Sequence, residues 1–160
     1  MRKMNLDKNI HISFTGEYHN SIDQKNRFNI PAKFRRALSP VNNRTFVLTR
    51  GFDPCLWLYP IQEWKTVEEQ LSRLSSIKNR DRNFVRSIVR YAVPVKYDRQ
   101  GRIQVPENLL SFSKIQKDVV AIGMIKKIEL WNPDTLNQQD NQDNSLDSQT
   151  FDDLANEINF

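Results

Sequence analysis

Two stretches of this sequence set an arginine four residues after an aspartate: Asp23-Gln24-Lys25-Asn26-Arg27 and Asp98-Arg99-Gln100-Gly101-Arg102. The chemistry on offer is recognition of an anion or a base edge. A guanidinium can present two parallel N–H donors to a guanine or a phosphate, which an ammonium cannot do with the same geometry. The aspartate can hold its arginine in position or cap the turn. Gly101 permits positive φ at the fourth place, and Asn26 is among the few side chains that tolerate the same conformation. The spacing also suits a salt-bridged hairpin turn with no ligand.

The two stretches are parts of a longer echo. Each is followed by an apolar-polar-apolar-Pro run, Phe28-Asn29-Ile30-Pro31 and Ile103-Gln104-Val105-Pro106, at an offset of 75 residues. At an offset of 73, Phe46-Val47-Leu48 and Trp57-Leu58-Tyr59-Pro60 correspond to Val119-Val120-Ala121 and Leu130-Trp131-Asn132-Pro133. Two echoes in the same order mark a duplicated unit. In the first unit, alternation over Tyr18 to Ile22 and again at Phe28 and Ile30 predicts two strands joined by a polar turn. Pro31 suits the first position of a helix carrying Phe34 and Leu38 on one face. Thr45 to Arg50 and Cys55 to Tyr59 are strand-like around a Gly51-Phe52-Asp53-Pro54 turn. The second unit repeats the order with strands over 94–98, 102–105, 119–124 and 128–131 and a helix over 106–112. Between the units, Trp64, Val67, Leu71 and Leu74, then Phe84, Val85, Ile88 and Val89, follow helical spacing.

The expected organisation is an N-terminal arm over 1–13, a unit over 14–63, linking helices over 64–91, a second unit over 92–136 and an acidic tail over 137–160. At 160 residues the chain fits one compact domain, and half of it would make a marginal core alone, so the copies must share one. The net charge of +5 is divided: residues 1–136 carry +11 and residues 137–160 carry −6. The tail's Gln, Asn, Asp and Ser content predicts disorder over most of it, with room for one weak helix on Phe151, Leu154 and Ile158.

A basic body suits nucleic acid, an acidic membrane or an acidic protein. The membrane is disfavoured, because no apolar run approaches the roughly 20 residues needed to span a bilayer and Met1 to His11 is too polar for a secretory signal. A cytosolic location is expected, in keeping with a single cysteine. From Gln24 to Phe52 stand seven bases (Lys25, Arg27, Lys33, Arg35, Arg36, Arg44, Arg50) and no acid. Arg82, Arg86 and Arg90 would form one stripe on a helix, where like charges repel and a polyanion is a natural partner; an exposed amphipathic face or ion pairs across a subunit contact fits as well.

Signals for catalysis are poor. His11 and His19 lack a metal or general-base setting, and no phosphate-cradling glycine loop is present. Cys55, between apolar neighbours, reads as a small buried hydrophobe. Trp57, Tyr59, Trp64 and Trp131 could stack on bases, but their spacing favours core packing. Neither a cofactor nor a metal is expected, and the chain is not read as an enzyme.

At these residues the sequence resembles the MraZ family of bacterial transcription regulators. The resemblance runs through Phe14-Thr15-Gly16-Glu17-Tyr18, Ile22 to Arg27, Ile30 to Arg35, Cys55 to Pro60 with Glu63-Trp64, Asp98 to Pro106, and Glu129-Leu130-Trp131. It covers about residues 14 to 136 and departs at Asn26, where the first signature usually has glycine. The resemblance implies an α+β, mostly β fold of two AbrB-like swapped-hairpin units (β-β-α-β-β) in one pseudo-symmetric, double-psi-like barrel. It implies a nucleoid-associated, ring-like homo-oligomer on short direct repeats of double-stranded DNA, repressing its own division and cell wall gene cluster. DNA contact then falls to Arg27 and Arg102, supported by Lys25, Lys33, Arg35, Arg36 and Arg99, with Asp23 and Asp98 positioning the loops. The other reading is an antitoxin-like or scaffold interaction module whose basic face meets an acidic protein and binds DNA only non-specifically.

Overall fold

The computed structural model describes residues 13–142 and 147–158; apart from Ser13, the expected N-terminal arm lies outside them. The first repeat contributes β1 (Glu17–Ser21), β2 (Arg27–Asn29), α1 (Ala32–Ala37), a 3-10 turn (Pro40–Asn42), β3 (Thr45–Arg50) and β4 (Leu56–Pro60). Two linking helices follow, α2 (Ile61–Ser72) and α3 (Asn79–Val89). The second repeat supplies β5 (Val93–Lys96), β6 (Arg102–Gln104), α4 (Glu107–Ser113), β7 (Asp118–Gly123) and β8 (Ile128–Trp131), before α5 (Pro133–Gln142) and α6 (Ser148–Ile158). The class is α+β, with eight strands to six α-helices among the described residues. Pro31 and Pro106 stand one residue before α1 and α4 rather than inside them.

Pairing between the strands is where the structure departs from the sequence reading. β1 and β2 do not form a hairpin, nor do β5 and β6. A single bridge, Ile22 to Phe28, closes the first turn, while β1 pairs with β7, β5 with β3, and β2 with β6, all antiparallel. The result is a six-stranded sheet ordered β1-β7-β8-β4-β3-β5 and a two-stranded ribbon β2-β6. Exchanging each strand for its counterpart in the other repeat reverses this order onto itself. The registers obey the same two-fold relation: Tyr18 faces Ala121 and Val93 faces Leu48, one pairing seen from either repeat.

One echo in the sequence is a residue out. The hairpin registers place Trp57-Leu58-Tyr59 on Glu129-Leu130-Trp131, an offset of 72 rather than 73. The β7–β8 turn is shorter by one residue, and strand parity enforces the correction, since a slip of one would send a core side chain to the opposite face. Leu58 and Leu130 are both buried on the inner face.

No ladder closes into the expected barrel among the described residues, and the six-stranded sheet keeps β1 and β5 as edges. The physical reason lies in the ribbon. Its strands are three residues long; each is followed by an X-Pro pair that lacks a donor and preceded by a turn whose N–H groups are taken by an aspartate. Phe28 and Ile103 face each other across it, both fully buried. They meet Phe34, Phe46, Leu48, Leu56, Leu58, Leu109, Ile128 and Leu130 in one core drawn from both repeats. On the sheet's other face, α2 and α3 cover Val47 through Trp64 and Ile88, and Leu136 of α5 packs on Cys55, Trp57, Val120 and Trp131.

Of the expected tail, residues 137–142 complete α5 and residues 148–158 form α6, the helix expected on Phe151, Leu154 and Ile158; neither helix has a buried residue. Leu136 anchors α5 on Cys55, Trp57, Val120 and Trp131, in keeping with short helices drawing most of their stability from packing.

Gly123 fixes how closely the N-terminal segment can approach β7: a Cβ there would stand 2.3 Å from the Thr15 nitrogen and 2.5 Å from the Phe14 carbonyl carbon. Since those atoms are backbone, Gly123→Ala is expected to cost about 2 kcal/mol or more, read as a lowered midpoint in urea denaturation.

Candidate nucleic-acid interface

Each Asp-x-x-x-Arg stretch folds into the same clamp. In the first, Asp23 Oδ1 accepts from the backbone nitrogens of Lys25 and Arg27, both at 2.9 Å, and Oδ2 accepts from Arg27 Nε at 2.8 Å. In the second, Asp98 Oδ1 accepts from the nitrogens of Gln100 (2.9 Å) and Arg102 (3.0 Å), and Oδ2 from Arg102 Nε at 2.9 Å. The fourth residue takes positive φ in both, 59° at Asn26 and 84° at Gly101. Its carbonyl then accepts from the other repeat: Asn26 O from Val105 N at 2.9 Å, Gly101 O from Ile30 N at 2.8 Å. The turns are therefore tied to one another as well as to their own arginines.

Both carboxylates are held below the usual aspartate range. The backbone N–H of the arginine is the largest cause; the arginine side chain and the N–H two residues on add to it, against an opposing desolvation. These hydrogen bonds favour the ionised form.

Strand parity then decides what the arginines face. With Phe28 and Ile103 turned into the core, Arg27, Asn29, Arg102 and Gln104 take the outer face of the ribbon. Arg27 pairs across to Gln104 and Arg102 to Asn29, so the two arginine Cα atoms stand two steps apart along the ribbon and one strand across, roughly 8 Å. Their side chains are 28% and 27% exposed. Among the described hydrogen bonds each uses only Nε, so the terminal nitrogens have no partner there. Lys25 and Arg99 are exposed on the turns beside them.

Of the remaining bases, Arg35 belongs to this cluster and Lys33 and Arg36 are exposed on α1 without a contact to it. Arg35 Nε donates to Ile30 O at 3.0 Å, and its guanidinium carbon lies 2.6 Å from where a Cβ on Gly101 would stand. The counterpart of Arg35 in the second repeat is Leu110, which lines an open groove beside Asn26. Glycine at φ 84° leaves room for the Arg35 side chain in the second turn, while asparagine fits the first.

Several side chains acquire roles that spacing did not signal. Glu129, quoted only as part of a motif, accepts from Trp57 Nε1 (3.4 Å), Trp131 Nε1 (3.1 Å) and the Cys55 thiol (3.7 Å). Burial first, then the nearby carboxylates of Glu129 and Asp53, pushes that thiol far above its ordinary range, so Cys55 is inert packing, as expected. Trp57, Trp64 and Trp131 are core residues. Arg50 lies with its guanidinium 3.6 Å from the Tyr91 ring and 4.4 Å from Phe112, in a groove also lined by Arg86 and Arg90. His19 is exposed against Glu17 at 3.1 Å, and His11 is outside the described residues. No cluster of three or more His, Cys, Asp or Glu suited to a metal occurs among the described residues.

With this geometry in view, comparison with known proteins is decisive. Residues 13–87 and 88–157 each match the family described as "MraZ protein, putative antitoxin-like". The chain belongs to the MraZ family. The second match runs through α5 and into α6 as far as residue 157, so most of the acidic tail lies inside the family's span, beyond the 14–136 covered by the motifs. Proteins named transcriptional regulator MraZ are similar to it: that of Pediococcus pentosaceus is 44% identical over 119 residues, covering 74% of this chain and 80% of the relative. That of Clostridium tetani is 42% identical over the same shares, and that of Alkaliphilus metalliredigens is 40% identical over 91% of this chain and 96% of its own length.

Two outcomes are expected from the clamps. Because a depressed pKa stabilises the fold above the ordinary aspartate value and is lost as pH falls through the lowered one, carboxyl-carbon NMR titrations of Asp23 and Asp98 should have midpoints below 3.8, with Arg27→Ala raising that of Asp23. The difference between the turns should show in stability: Gly101→Ala loses about 1–2 kcal/mol through its positive φ and displaces Arg35, whereas Asn26→Gly, at a positive φ that glycine adopts freely, changes stability by less than about 1 kcal/mol, compared by urea denaturation.

Proposed function

We propose that this MraZ-family chain is a sequence-reading regulator of transcription that lays the outer face of its β2–β6 ribbon on double-stranded DNA. The observation that carries the reading is the placement of Arg27 and Arg102 side by side on that face, each aimed by an aspartate that binds Nε and leaves the terminal nitrogens to a ligand. Such an arginine is pre-organised, so little side-chain entropy is lost when it engages a guanine edge or phosphate. Lys25, Arg99 and Arg35 supply positive charge around the pair, and Lys33 and Arg36 extend it along α1. The relatives' shared name, transcriptional regulator, supports the same assignment.

One ribbon offers two central arginines, and so few contacts give modest, salt-sensitive affinity. A ring-like homo-oligomer that sets several ribbons along short direct repeats turns weak contacts into avidity where subunit and repeat spacing agree. Repression of its own division and cell wall gene cluster, from a cytoplasmic, nucleoid-associated location, completes the proposal. Among the described residues no helix is long and apolar enough to cross a membrane. The family description's antitoxin-like wording favours a second reading, in which the same basic face meets an acidic protein and DNA binding is indifferent to sequence.

Fluorescence anisotropy with the duplex upstream of this reading frame, against a shuffled duplex at two salt concentrations, separates the readings. Arg27→Ala or Arg102→Ala is expected to weaken the upstream duplex by about 1–3 kcal/mol and the shuffled one far less. Equal loss on both would make the arginines phosphate contacts, and equal, salt-labile binding of the native chain to both would favour the protein-interaction module.

A further inference from the structure

Two surfaces have no partner among the described residues, and they match. The first is α6, whose Phe151, Leu154 and Ile158 are 62%, 46% and 67% exposed and follow one another along a single face. At about 100° per residue, Asp152 falls on one side of that face and Glu157 on the other. Neither acid is in an ion pair among the described residues.

The second surface is a groove of about 480 Å³ between α2 and α3, floored by Leu71, Leu74, Val85 and Val89 and rimmed by Arg82 and Arg86. Leu74 and Val89 are 40% and 41% exposed. The rim arginines use uncharged acceptors: Arg82 Nη1 donates to the Ser76 and Ile77 carbonyls and Arg86 Nη1 to Asn83 Oδ1. No carboxylate lies within salt-bridge distance of either among the described residues.

We propose that α6 of one copy docks in the α2–α3 groove of a second copy, its three apolar side chains on the groove floor and its flanking acids against Arg82 and Arg86. Sign and polarity both argue for this occupant: the groove is apolar with a cationic rim, and α6 is an apolar stripe with an anionic rim. An amphipathic helix laid in a groove through anchors three and four residues apart is a recurrent mode of recognition. The occupant is a second copy because, among the described residues of one chain, the helix face and the groove are both open. A helix of one copy in a groove of the next is a head-to-tail contact, which repeats until rotation closes a ring. The inference rests on the assembly part of the proposed function and on none of the DNA part.

The test is disulfide trapping between full-length chains. Chains carrying Leu154→Cys and isotopically labelled chains carrying Leu74→Cys, both at exposed positions, are mixed under mild oxidation without DNA. Mass spectrometry is expected to find the mixed disulfide at least tenfold above that formed by Leu154→Cys with Lys117→Cys, an exposed control. Arg82→Glu with Arg86→Glu on the groove chain should abolish it, and Asp152→Arg with Glu157→Arg on the helix chain should restore it. A yield equal to the control overturns the proposal, as does a link formed only within one chain carrying both cysteines. Sedimentation of the unmodified chain distinguishes the failures: a multimer without the link refutes this contact alone, and a monomer refutes the assembly as well.

Discussion

The structure depends on one constraint: neither repeat can satisfy its own backbone. The first strand of each lies against the third strand of the other, and the second strands pair only with each other, at Phe28 and Ile103. The apolar core is likewise drawn from both repeats around the fully buried Phe28 and Ile103, and half of it would be marginal alone, so the halves fold together. Duplication thus provides the material for one core rather than two. The near-identity of the two registers is a consequence, since a two-fold axis between the paired second strands fixes every other pairing.

The candidate interface grows from the same place. The ribbon sits on the pseudo-axis with its apolar side sealed in the core, so its other side must face outward and must carry the two arginines. The aspartate of each turn does two jobs that would otherwise compete. One oxygen takes the N–H groups that a longer strand would have offered to a neighbour, and the other takes Nε of the arginine. Ending the strand and aiming the side chain are therefore one interaction, which makes the site as rigid as the turn that supports it.

Divergence between the repeats is confined to places where the symmetry meets something outside it. Arg35 lies over Gly101, whereas Leu110 leaves Asn26 uncovered. Arg50 fills a space between Tyr91 and Phe112, and the matching place in the second repeat is the end of β7, where Gly123 admits the N-terminal segment. The linking helices α2 and α3 cover one half of the sheet's outer face, and the shorter α5 reaches the other.

Local signals carried far in this sequence. Periodicity located all eight strands, the two short helices after Pro31 and Pro106, and the linking pair, because turn chemistry and apolar spacing act over a few residues. The echo announced the duplication, and the paired Asp and Arg announced the clamp. Partner choice did not follow, because alternation says that a strand has a buried face and says nothing of which strand lies beside it. Hence periodicity read residues 18–30 as two strands joined by a polar turn without showing that each pairs with the other repeat, and the offset at Trp57 was misread by one. The helix on Phe151, Leu154 and Ile158 was legible from spacing, whereas α5 was not, because composition gives no sign that Leu136 docks on Cys55, Trp57, Val120 and Trp131. What the sequence determined by itself was the eight strands, the helices other than α5 and the residues able to bind an anion. Tertiary structure alone decided that Arg27 and Arg102, 75 residues apart, share one outward face, because only the pairing of Phe28 with Ile103 brings the strands together and strand parity then turns both arginines out.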